Sequence, residues 1–387
     1  NLLRKKIMGN NFGGLVASAA YTAERVSLTL GASASLYDGV HYGEISGLVE
    51  APDFGTAEYY RNSTTKWDAS CFAKVDWLIT KGLNLYADVQ YRHITHRISG
   101  VNDNFDDTTG AMQRLDINRR YNFFNPKLGL HYSFARDHAI YASAAVGQKE
   151  PTRNNFTDIR EGEYPTAEKM LDIEVGYGFN SKVVDLSLNG YYMLYRDQLV
   201  QTGELSDTGE LLARNVPESF RRGIEAMIEV RAARWLSLGA NATLSQNYIE
   251  NYVDYIDGVA FERGRTTIAY SPSVTTGAFV DFHTHGFAAR FSTRYVSKQY
   301  LTNGEYEDLT LPRYSVSDLD LSYTMSTKRV ERVRFGVKIG NLFNAKYCAS
   351  GYGGSWLEGA TLADRKSWSC YFPQATTSVL ANVTVNF

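Results

Sequence analysis

Apolar and polar residues alternate one by one along most of the chain. In segment 26–34 the apolar residues occupy the even positions, and a period of two recurs in segments 83–92, 184–189 and 236–245. Because successive side chains of a β-strand point to opposite faces, this alternation predicts strands with one apolar and one polar face. No amphipathic helix pattern or helix cap interrupts it, so the predicted fold class is all-β.

The alternation divides the chain into fifteen predicted strands. They are 12–22, 24–37, 66–79, 83–97, 120–134, 139–149, 168–180, 183–199, 219–231, 235–249, 267–282, 286–300, 313–326, 331–344 and 372–387. Every second connection between them is long: 38–65, 98–119, 150–167, 200–218, 250–266, 301–312 and 345–371. Short turns at one rim and long loops at the other are typical of an antiparallel transmembrane β-barrel of the bacterial outer membrane.

The spacing of two tryptophans supports the membrane interpretation. Trp67 and Trp77 occupy one face of the strand 66–79, while Asp68 and Lys74 occupy the other. Ten residues span roughly 33 Å of strand, which at a tilt of about 40° projects to about 25 Å, the height of the apolar band between aromatic girdles. The alternative is a soluble barrel in which the tryptophans fill the core.

Composition and charge narrow the classes of protein further. The chain has 387 residues, with 40 Lys and Arg against 42 Asp and Glu and a formal net charge of −2. Binding to nucleic acid requires a basic excess, so nucleic acid is not an expected partner. No stretch approaches the ~18–20 apolar residues of a membrane-spanning helix. The 27 tyrosines suit interfacial girdles and a wet binding surface.

The odd number of strands predicts that the chain is part of a larger barrel. Single-chain bacterial barrels have even strand numbers, and an open sheet would leave unpaired edges in lipid. The last predicted strand ends at Phe387, and a terminal aromatic residue is typical of an outer-membrane insertion signal. We therefore expect residues 1–387 to form a single, incomplete domain, the C-terminal part of a barrel.

Several short motifs carry a resemblance to a known family. Asn341-Leu342-Phe343-Asn344-Ala345-Lys346-Tyr347 resembles the NLF-x-x-x-Y signature of TonB-dependent outer-membrane receptors, and Arg222-Gly223-Ile224-Glu225 resembles their R-G-x-E strand motif. Further similar stretches lie at 125–130, 141–143, 151 and 168–177, and Phe387 fits the family's last residue. The general style, including segment 38–44, resembles receptors of Bacteroidetes-type bacteria.

The resemblance implies an architecture and a set of partners. It implies a 22-stranded barrel closed around an N-terminal plug, of which this chain would supply strands 8 to 22, the plug being absent from the chain. The implied location is the outer membrane of a Gram-negative bacterium, with many membrane passes. The implied partners are outer-membrane lipid, the TonB–ExbB–ExbD energy-transducing complex, the missing plug and N-terminal strands, and a small-molecule ligand.

The resemblance also implies active transport. Such a receptor binds a scarce ligand with its extracellular loops, typically a siderophore–iron chelate, haem or cobalamin, and imports it when TonB moves the plug. A passive porin and an outer-membrane barrel enzyme are the alternatives. The sequence contains no G-x-S-x-G, H-E-x-x-H or G-x-x-x-x-G-K-[ST] motif, so we expect no catalytic residues and no enzyme.

Aromatic and basic residues are the candidates for ligand binding. The loop aromatics are Tyr59, Tyr60, Tyr252, Tyr255, Tyr306, Tyr352, Trp356 and Trp368. Their rings could stack on a flat chelate or sugar, or they could instead belong to the girdles or pack loop against loop. Arg290, Arg294 and Lys298 form a basic stripe on the polar face, which could attract an anionic chelate or form salt bridges with the plug or neighbouring strands.

Two features of the long loops concern covalent links and metals. Cys348 and Cys370 lie near the two ends of the last long loop, in an expected oxidising compartment, and are predicted to form a disulfide. Segment 102–107 has the oxygen density that calcium prefers but lacks the glycine and distal glutamate of an EF-hand loop, so a solvated acidic loop is the alternative. The glycine-rich segment 351–355 suits a mobile loop. No covalently bound cofactor and no other metal site is expected.

Overall fold

The computed structural model describes residues 2–48, 56–106, 110–157, 164–205, 211–326 and 330–386. These residues form twenty strands, a five-residue helix α1 (Arg153–Thr157) and a 3-10 turn at Leu362–Asp364. The prediction of an all-β fold is confirmed. In this part of the chain, no helix has the length and apolar character needed to cross a membrane.

The strands have the following bounds in chain order. They are β1 Leu2–Thr22, β2 Val26–Leu48, β3 Ala57–Thr80, β4 Leu83–Asp106, β5 Ala111–Phe134, β6 His138–Lys149, β7 Glu168–Asn180, β8 Val184–Leu205, β9 Leu211–Ala233, β10 Leu236–Ile256, β11 Val259–Thr267, β12 Val274–Thr284, β13 Phe287–Val296, β14 Gln299–Tyr300, β15 Thr310–Leu311, β16 Tyr314–Met325, β17 Arg332–Gly340, β18 Cys348–Leu357, β19 Arg365–Pro373 and β20 Ser378–Asn386.

Sixteen of these strands form one antiparallel sheet. Its order is β1 to β10, then β12, β13, β16, β17 and β20, with β11 paired to β10 outside this path. The pairs β14–β15 and β18–β19 form two separate small sheets. From β1 to β10 the sheet places consecutive strands side by side, whereas the pairs β10–β12, β13–β16 and β17–β20 have other strands between them in the sequence.

The strand boundaries correct the prediction at several places. Each predicted strand overlaps one strand of the fifteen-strand path, but β3 begins at Ala57, nine residues earlier than expected, and β4 continues to Asp106. Of the segment 98–119, predicted as a loop, residues 98–106 belong to β4 and residues 111–119 belong to β5. Beyond the apolar band both faces carry polar residues, so hydropathy no longer alternates although the backbone ladder continues. Two strands are shorter than predicted: β17 ends at Gly340 instead of 344, and β20 begins at Ser378 instead of 372.

The chain divides into two compact units. The first comprises residues 1–130 and 144–171, and the second comprises residues 131–143 and 172–387. In the first unit, the apolar face of β3 exposes Trp67 (41%) and Trp77 (44%) to the surroundings. The only sizeable apolar cluster among its described residues joins α1 to the ends of β4 and β5, through Ile98, Leu115, Ile117 and Phe156.

The second unit likewise keeps its buried apolar residues away from the sheet's middle. One cluster, called here the loop core, consists of Ile256, Leu301, Tyr306, Leu309 and Leu311. A second cluster joins the ends of β8, β9 and β10 to the segment after β11, through Val200, Val216, Ile249 and Ile268. The middle of the sheet instead exposes apolar side chains, including Ile224, Leu244 and Phe335.

Aromatic rings on the polar face lie over glycines of the neighbouring strand. Gly31 is directly opposite Phe72, and a Cβ at Gly31 would lie 2.2 Å from that ring. Gly239 faces Phe279 in the same way, again with 2.2 Å between the added Cβ and the ring. Only glycine leaves room for a ring in this position, so these pairs fix the register of two strand pairs.

Candidate ligand-binding loops

An exposed row of aromatic rings lies on the β18–β19 hairpin. The register pairs Tyr352 with Cys370 and Trp356 with Lys366, so the alternate positions Tyr352, Trp356, Trp368 and Phe372 share one face. We call these four residues the aromatic face. Trp356, Trp368 and Phe372 are 39%, 44% and 52% exposed, and the Tyr352 ring lies 5.6 Å from the Trp368 ring in an edge-to-face contact.

The opposite face of the hairpin packs against the loop core. Gly351 and Gly353 are buried there, and a Cβ at these positions would lie 3.4 Å from Leu311 and 3.1 Å from Leu309. It would also lie 2.7 Å and 2.5 Å from carbonyl oxygens of β19. The glycines therefore allow a close approach of two backbones, and the segment 351–355, predicted as a mobile loop, lies within the strand β18.

Arg365 connects the hairpin to the loop beneath it. Its guanidinium donates to Asp308 Oδ1 (2.5 Å) and to Ser355 Oγ (2.9 Å), and its Cζ lies 3.8 Å from the centre of the Tyr306 ring. The Ser367 hydroxyl donates to the other oxygen of Asp308 (2.5 Å). The side chain of Arg365 is only 11% exposed, so these contacts hold a nearly buried cation in a neutral setting.

Tyr306 is the centre of this loop. Its hydroxyl donates to Asp254 Oδ2 (2.8 Å), and a second guanidinium, that of Arg263, lies 4.7 Å from its ring centre. Arg263 also donates twice to the carbonyl oxygen of Gly304 (3.2 and 2.9 Å). Tyr306 thus joins β10, β11 and β19 through one buried ring.

The ionisation of the loop follows from these contacts. Burial, together with the charge of Asp254, raises the pKa of Tyr306 well above its ordinary value, so this phenol stays neutral and donates. Partial burial opposes ionisation of Asp308, yet the hydrogen bonds from Ser367 and Arg365 outweigh it and hold its pKa below 3.8. The loop therefore carries a carboxylate at neutral pH, paired with Arg365.

The remaining predicted aromatics lie elsewhere. Tyr252 packs against the second cluster of its unit and donates to Asp254 Oδ1 (3.4 Å), whereas Tyr255 is exposed on the opposite face of β10. Of the eight candidates, Tyr306 is a support for the hairpin, and Tyr352, Trp356 and Trp368 form the exposed surface. Sequence reasoning did not separate these two roles.

Tyr59 and Tyr60 belong to the first unit and lie at a bulge. Both oppose Gly43, because the β2–β3 register shifts there and Glu44 pairs with Glu58. Two residues opposite one is the pattern of a β-bulge. Both rings lie within 2.6 Å of the position of a Cβ on Gly43, and their centres are 5.0 Å apart. Tyr60 is buried.

The basic stripe is occupied by internal contacts. Arg290 lies 3.1 Å from a carboxylate oxygen of β12 and its guanidinium is 4.2 Å from the Phe279 ring centre. Arg294 donates to Tyr347 Oη (3.1 Å), and Lys298 binds both carboxylate oxygens of Glu307 at 2.8 Å. In the structure these three cations therefore already have partners on neighbouring strands and loops.

The predicted disulfide is absent. Cys348 and Cys370 both carry free thiols. The register places Cys370 opposite Tyr352 and Cys348 opposite Pro373. Their Cα atoms are therefore offset by three residues, roughly 10 Å of strand, beyond the ~7 Å that a disulfide can bridge. The prediction assumed that both ends of the loop meet, whereas the hairpin meets out of register with the two cysteines.

A polar cluster in the first unit was missed by the sequence analysis. Glu150, which is buried, accepts from Lys66 Nζ (2.6 Å) and from Arg92 (3.0 and 3.1 Å), and Arg92 also binds Asp68 (2.5 Å). The alternating pattern of β3 already indicated that Lys66 and Asp68 lie on the same face. Nothing in the sequence pattern indicated that Glu150, 58 residues after Arg92, returns to the same place.

The segment after Glu150 contacts β3, β4 and β5. Arg153 Nη2 donates to Asn62 Oδ1 (2.9 Å), and the Phe156 ring lies 5.8 Å from the buried His96 ring. Asn102 donates to Gln113 Oε1 (2.8 Å) and to the carbonyl of residue 157 (3.2 Å). Helix α1 is thus held to β3, β4 and β5 by its own side chains and backbone.

The calcium segment is not a loop. Residues 102–106 belong to β4, and Asp107 lies outside the described residues. Within the part of the chain that the structure describes, no three His, Cys, Asp or Glu side chains are grouped so that they could hold a metal ion. Calcium binding at 102–107 stays a prediction.

Comparison with known proteins identifies the family. The family model for TonB-dependent receptor-like β-barrels matches residues 6–342. The chain belongs to this family. The resemblance inferred from the motifs is therefore confirmed, and the family and its structural neighbours are transporters and receptors rather than enzymes.

Solved structures of TonB-dependent receptors share the fold. The chain is similar to the ferric yersiniabactin uptake receptor FyuA from Yersinia pestis (TM-score 0.73, 17% identity, 100% of this chain and 55% of that one). It is also similar to the ferric-catecholate import receptor Fiu from E. coli K12 (0.69, 16%, 99% and 55%) and to the siderophore receptor PiuA from Acinetobacter baumannii (0.71, 14%, 98% and 56%). The chain spans about half the length of these receptors. No curated protein matches it.

The first family motif forms a turn that closes on itself. Asn341 follows β17 with φ of 50°, a left-handed conformation that asparagine tolerates. Its side chain accepts from Ala345 N (2.8 Å) and donates to the carbonyl oxygens of Ala345 (2.8 Å) and Ala375 (3.1 Å). The predicted strand therefore ends before the motif. Leu342 N donates to the Ser317 carbonyl (2.7 Å), so the TonB-dependent barrel motif joins β16, the end of β17 and the segment just before β20.

The aromatic members of that motif contact opposite sides of the sheet. Phe343 is exposed and its ring lies 6.4 Å from that of Phe291, on the apolar face. Tyr347 stacks on Tyr314 with 4.6 Å between ring centres. The terminal Phe387 lies outside the described residues.

In the second family motif, residues 222–225, the glycine leaves room for a tyrosine side chain of the neighbouring strand. A Cβ at Gly223 would lie 2.6 Å from the hydroxyl oxygen of Tyr191, its direct neighbour on β8. Glu225 accepts from Asn189 Nδ2 (3.4 Å) on the same face, and Arg222 donates to Gln246 Oε1 (2.7 Å) on the other. In this family member the motif therefore determines the β8–β9–β10 register.

Proposed function

We propose that this chain is the barrel portion of an outer-membrane active-transport receptor. In this proposal the loops bind a scarce ligand of the siderophore–iron, haem or cobalamin class, and plug movement driven by TonB imports it. The observation that carries the proposal is the aromatic face, an exposed row of rings on a firmly supported hairpin of a TonB-dependent receptor barrel. The ligand class and the energy coupling are properties of whole receptors, and this chain spans about half the length of the solved receptors that it resembles.

The exposure pattern of the sheet supports a membrane location. Trp67 and Trp77 are ten residues apart on the exposed apolar face of β3, and the middle of the sheet in the second unit exposes Ile224, Leu244 and Phe335. Exposed apolar side chains in such number are unfavourable in water. The same side chains are in a favourable environment when they face the hydrocarbon layer of a membrane, which aromatic side chains border at both interfaces.

The construction of the hairpin supports ligand binding. Binding is favoured when the contact surface is held in place before the ligand arrives. Arg365, Asp308 and Tyr306 fix β18–β19 from beneath, and Leu357 N donates to Asp257 Oδ2 (2.7 Å) at its far end. The aromatic face is thereby kept open for stacking on a flat chelate or macrocycle.

Other elements of the proposal rest on the family alone. They are the TonB–ExbB–ExbD complex, the plug and the total of 22 strands. The Bacteroidetes-type origin stays a prediction.

Binding to the whole receptor, with this chain as its barrel portion, tests the proposal directly. Ferric citrate, haemin and cyanocobalamin are titrated separately, with quenching of tryptophan fluorescence as the signal. We expect saturable binding of one probe, weakened about tenfold in W356A/W368A, since two stacking contacts contribute ~1–3 kcal/mol. The matched control is W235A, an exposed tryptophan at the turn between β9 and β10. Equal affinities of W356A/W368A and W235A, or no binding of any probe, contradict the proposal.

Uptake by cells tests the transport step. Cells of the source bacterium with and without the gene are given the probe that binds, in radiolabelled form. We expect gene-dependent accumulation that a protonophore abolishes. Accumulation that continues with the protonophore would indicate passive diffusion instead.

A further inference from the structure

A second site lies at the base of the β18–β19 hairpin. A cavity of about 580 Å³ lies between the end of β15, the start of β16, the segment before β18 and the end of β19. Its lining includes Pro312, Arg313, Lys346, Tyr347, Tyr371 and Pro373. Most of this lining is apolar, and the volume falls in the range of small-molecule sites.

The two cations of this cavity differ from the other cations nearby. Arg365 is paired with Asp308, Lys298 with Glu307 and Lys366 with Glu358. Arg313 and Lys346 are exposed, and neither forms an ion pair or hydrogen bond with any residue that the structure describes. Two positive charges that share one cavity without a carboxylate repel each other, and an anion between them relieves that repulsion.

The aromatic walls of the cavity are fixed. Tyr371 Oη donates to the Thr310 carbonyl (3.1 Å) and accepts from Ser369 Oγ (3.3 Å). Tyr347 stacks on Tyr314 and accepts from Arg294. Rings held in this way lose no rotamer freedom when an apolar group enters, so the cavity is preorganised.

We propose that this cavity binds an amphiphile with an anionic head. The carboxylate or phosphate lies against Arg313 and Lys346, and the apolar body contacts Pro312, Tyr371 and Pro373. The site is separate from the aromatic face, because Tyr371 occupies the alternate face of β19, and its occupation does not depend on the transport function. Two sources supply this chemistry: an anionic lipid of the surrounding membrane, and a soluble organic acid.

Paired ligands separate the two sources. The whole receptor in uncharged detergent is offered phosphatidylglycerol or phosphatidylcholine, with retention measured by native mass spectrometry. In a second arm, 2-naphthoate and neutral 2-naphthamide are titrated calorimetrically. We expect the anionic member of at least one pair to bind at least tenfold more tightly. Preference in the lipid arm identifies a lipid site, and preference in the naphthoate arm identifies a site for soluble acids.

Variants connect the preference to the two cations. We expect R313Q/K346Q to lose about tenfold in affinity for the anionic ligand, since two charge-assisted contacts are removed. The control K182Q/R234Q has the same change in net charge, at exposed positions in the turns after β7 and β9, and is expected to bind normally. R313K/K346R keeps both charges and should retain binding, so a loss confined to R313Q/K346Q is due to the missing charges. Circular dichroism checks that every variant is folded.

Two results overturn the proposal. One is equal binding of the charged and neutral members in both arms. The other is an unchanged preference in R313Q/K346Q. Because neither result involves the aromatic face, failure here leaves the proposed receptor function intact, and failure of the receptor function leaves this site intact.

Discussion

Replacing Arg365 by alanine tests whether the hairpin is held from beneath. The substitution removes an ion pair to Asp308, a hydrogen bond to Ser355 and a guanidinium 3.8 Å from the Tyr306 ring centre. A charge-assisted hydrogen bond contributes about 1.5–3 kcal/mol and a partly desolvated cation–π contact about 0.5–2 kcal/mol. Asp308 is half exposed and keeps Ser367, so its own penalty is small. We expect the opening free energy of the hairpin to fall by ~3 kcal/mol.

Hydrogen exchange of the β18–β19 amides measures this free energy. A fall of ~3 kcal/mol corresponds to roughly 100-fold faster exchange, confined to the hairpin and the loop core. The matched control is K366A, one residue further along β19, which removes an exposed pair at 3.6 Å worth at most about 1 kcal/mol. If R365A and K366A exchange at equal rates, Arg365 does not hold the hairpin.

Three further predictions concern stability. G31A should lower the free energy of unfolding by about 1 kcal/mol, seen as a lower melting temperature, because the added methyl displaces the opposite ring. In G13A the added methyl meets open space, so its melting temperature should not change. Equal shifts of the melting temperature in the two variants would refute this. N341A should cost about 2–3 kcal/mol through three lost hydrogen bonds, measured by denaturant unfolding, with N344A, which loses one bond of 3.4 Å, as the milder control. Because the folded pKa of Asp308 is depressed, its contribution is complete above its ordinary value of 3.8 and is lost as pH falls through the lower folded value. Protease protection of β18–β19 should therefore persist from pH 7 to 4 and fall only below, and loss between pH 7 and 5 would contradict the assignment.

The sequence predicts the fold well where one face is apolar. In the segment between Trp67 and Trp77 the apolar residues mark every second position, and the predicted and observed strands agree there to one residue at the end. Above Trp67 both faces are polar and the backbone pairs all the same, so hydropathy has no information about the strand's start. The bulge at Tyr59 and Tyr60 is invisible for the same reason.

The candidate site was predictable in composition but not in arrangement. Aromatic residues in the last long loop indicated Trp356 and Trp368, and their alternation was visible. The support was not, because Arg365 and Asp308 are 57 residues apart and meet only through the packing of two loops on the loop core. The cysteine prediction failed because two loop ends can meet in any register, and the glycines of β18 selected another one.

A structure of the whole receptor with its ligand bound, determined by cryo-electron microscopy, tests most directly whether the aromatic face binds the ligand. We expect ligand atoms to contact the rings of Trp356 and Trp368 within about 4.5 Å, with β18–β19 still held by the contact of Arg365 with Tyr306. A ligand bound without contact to the aromatic face, or a hairpin that moves away from Tyr306 on binding, would contradict this expectation.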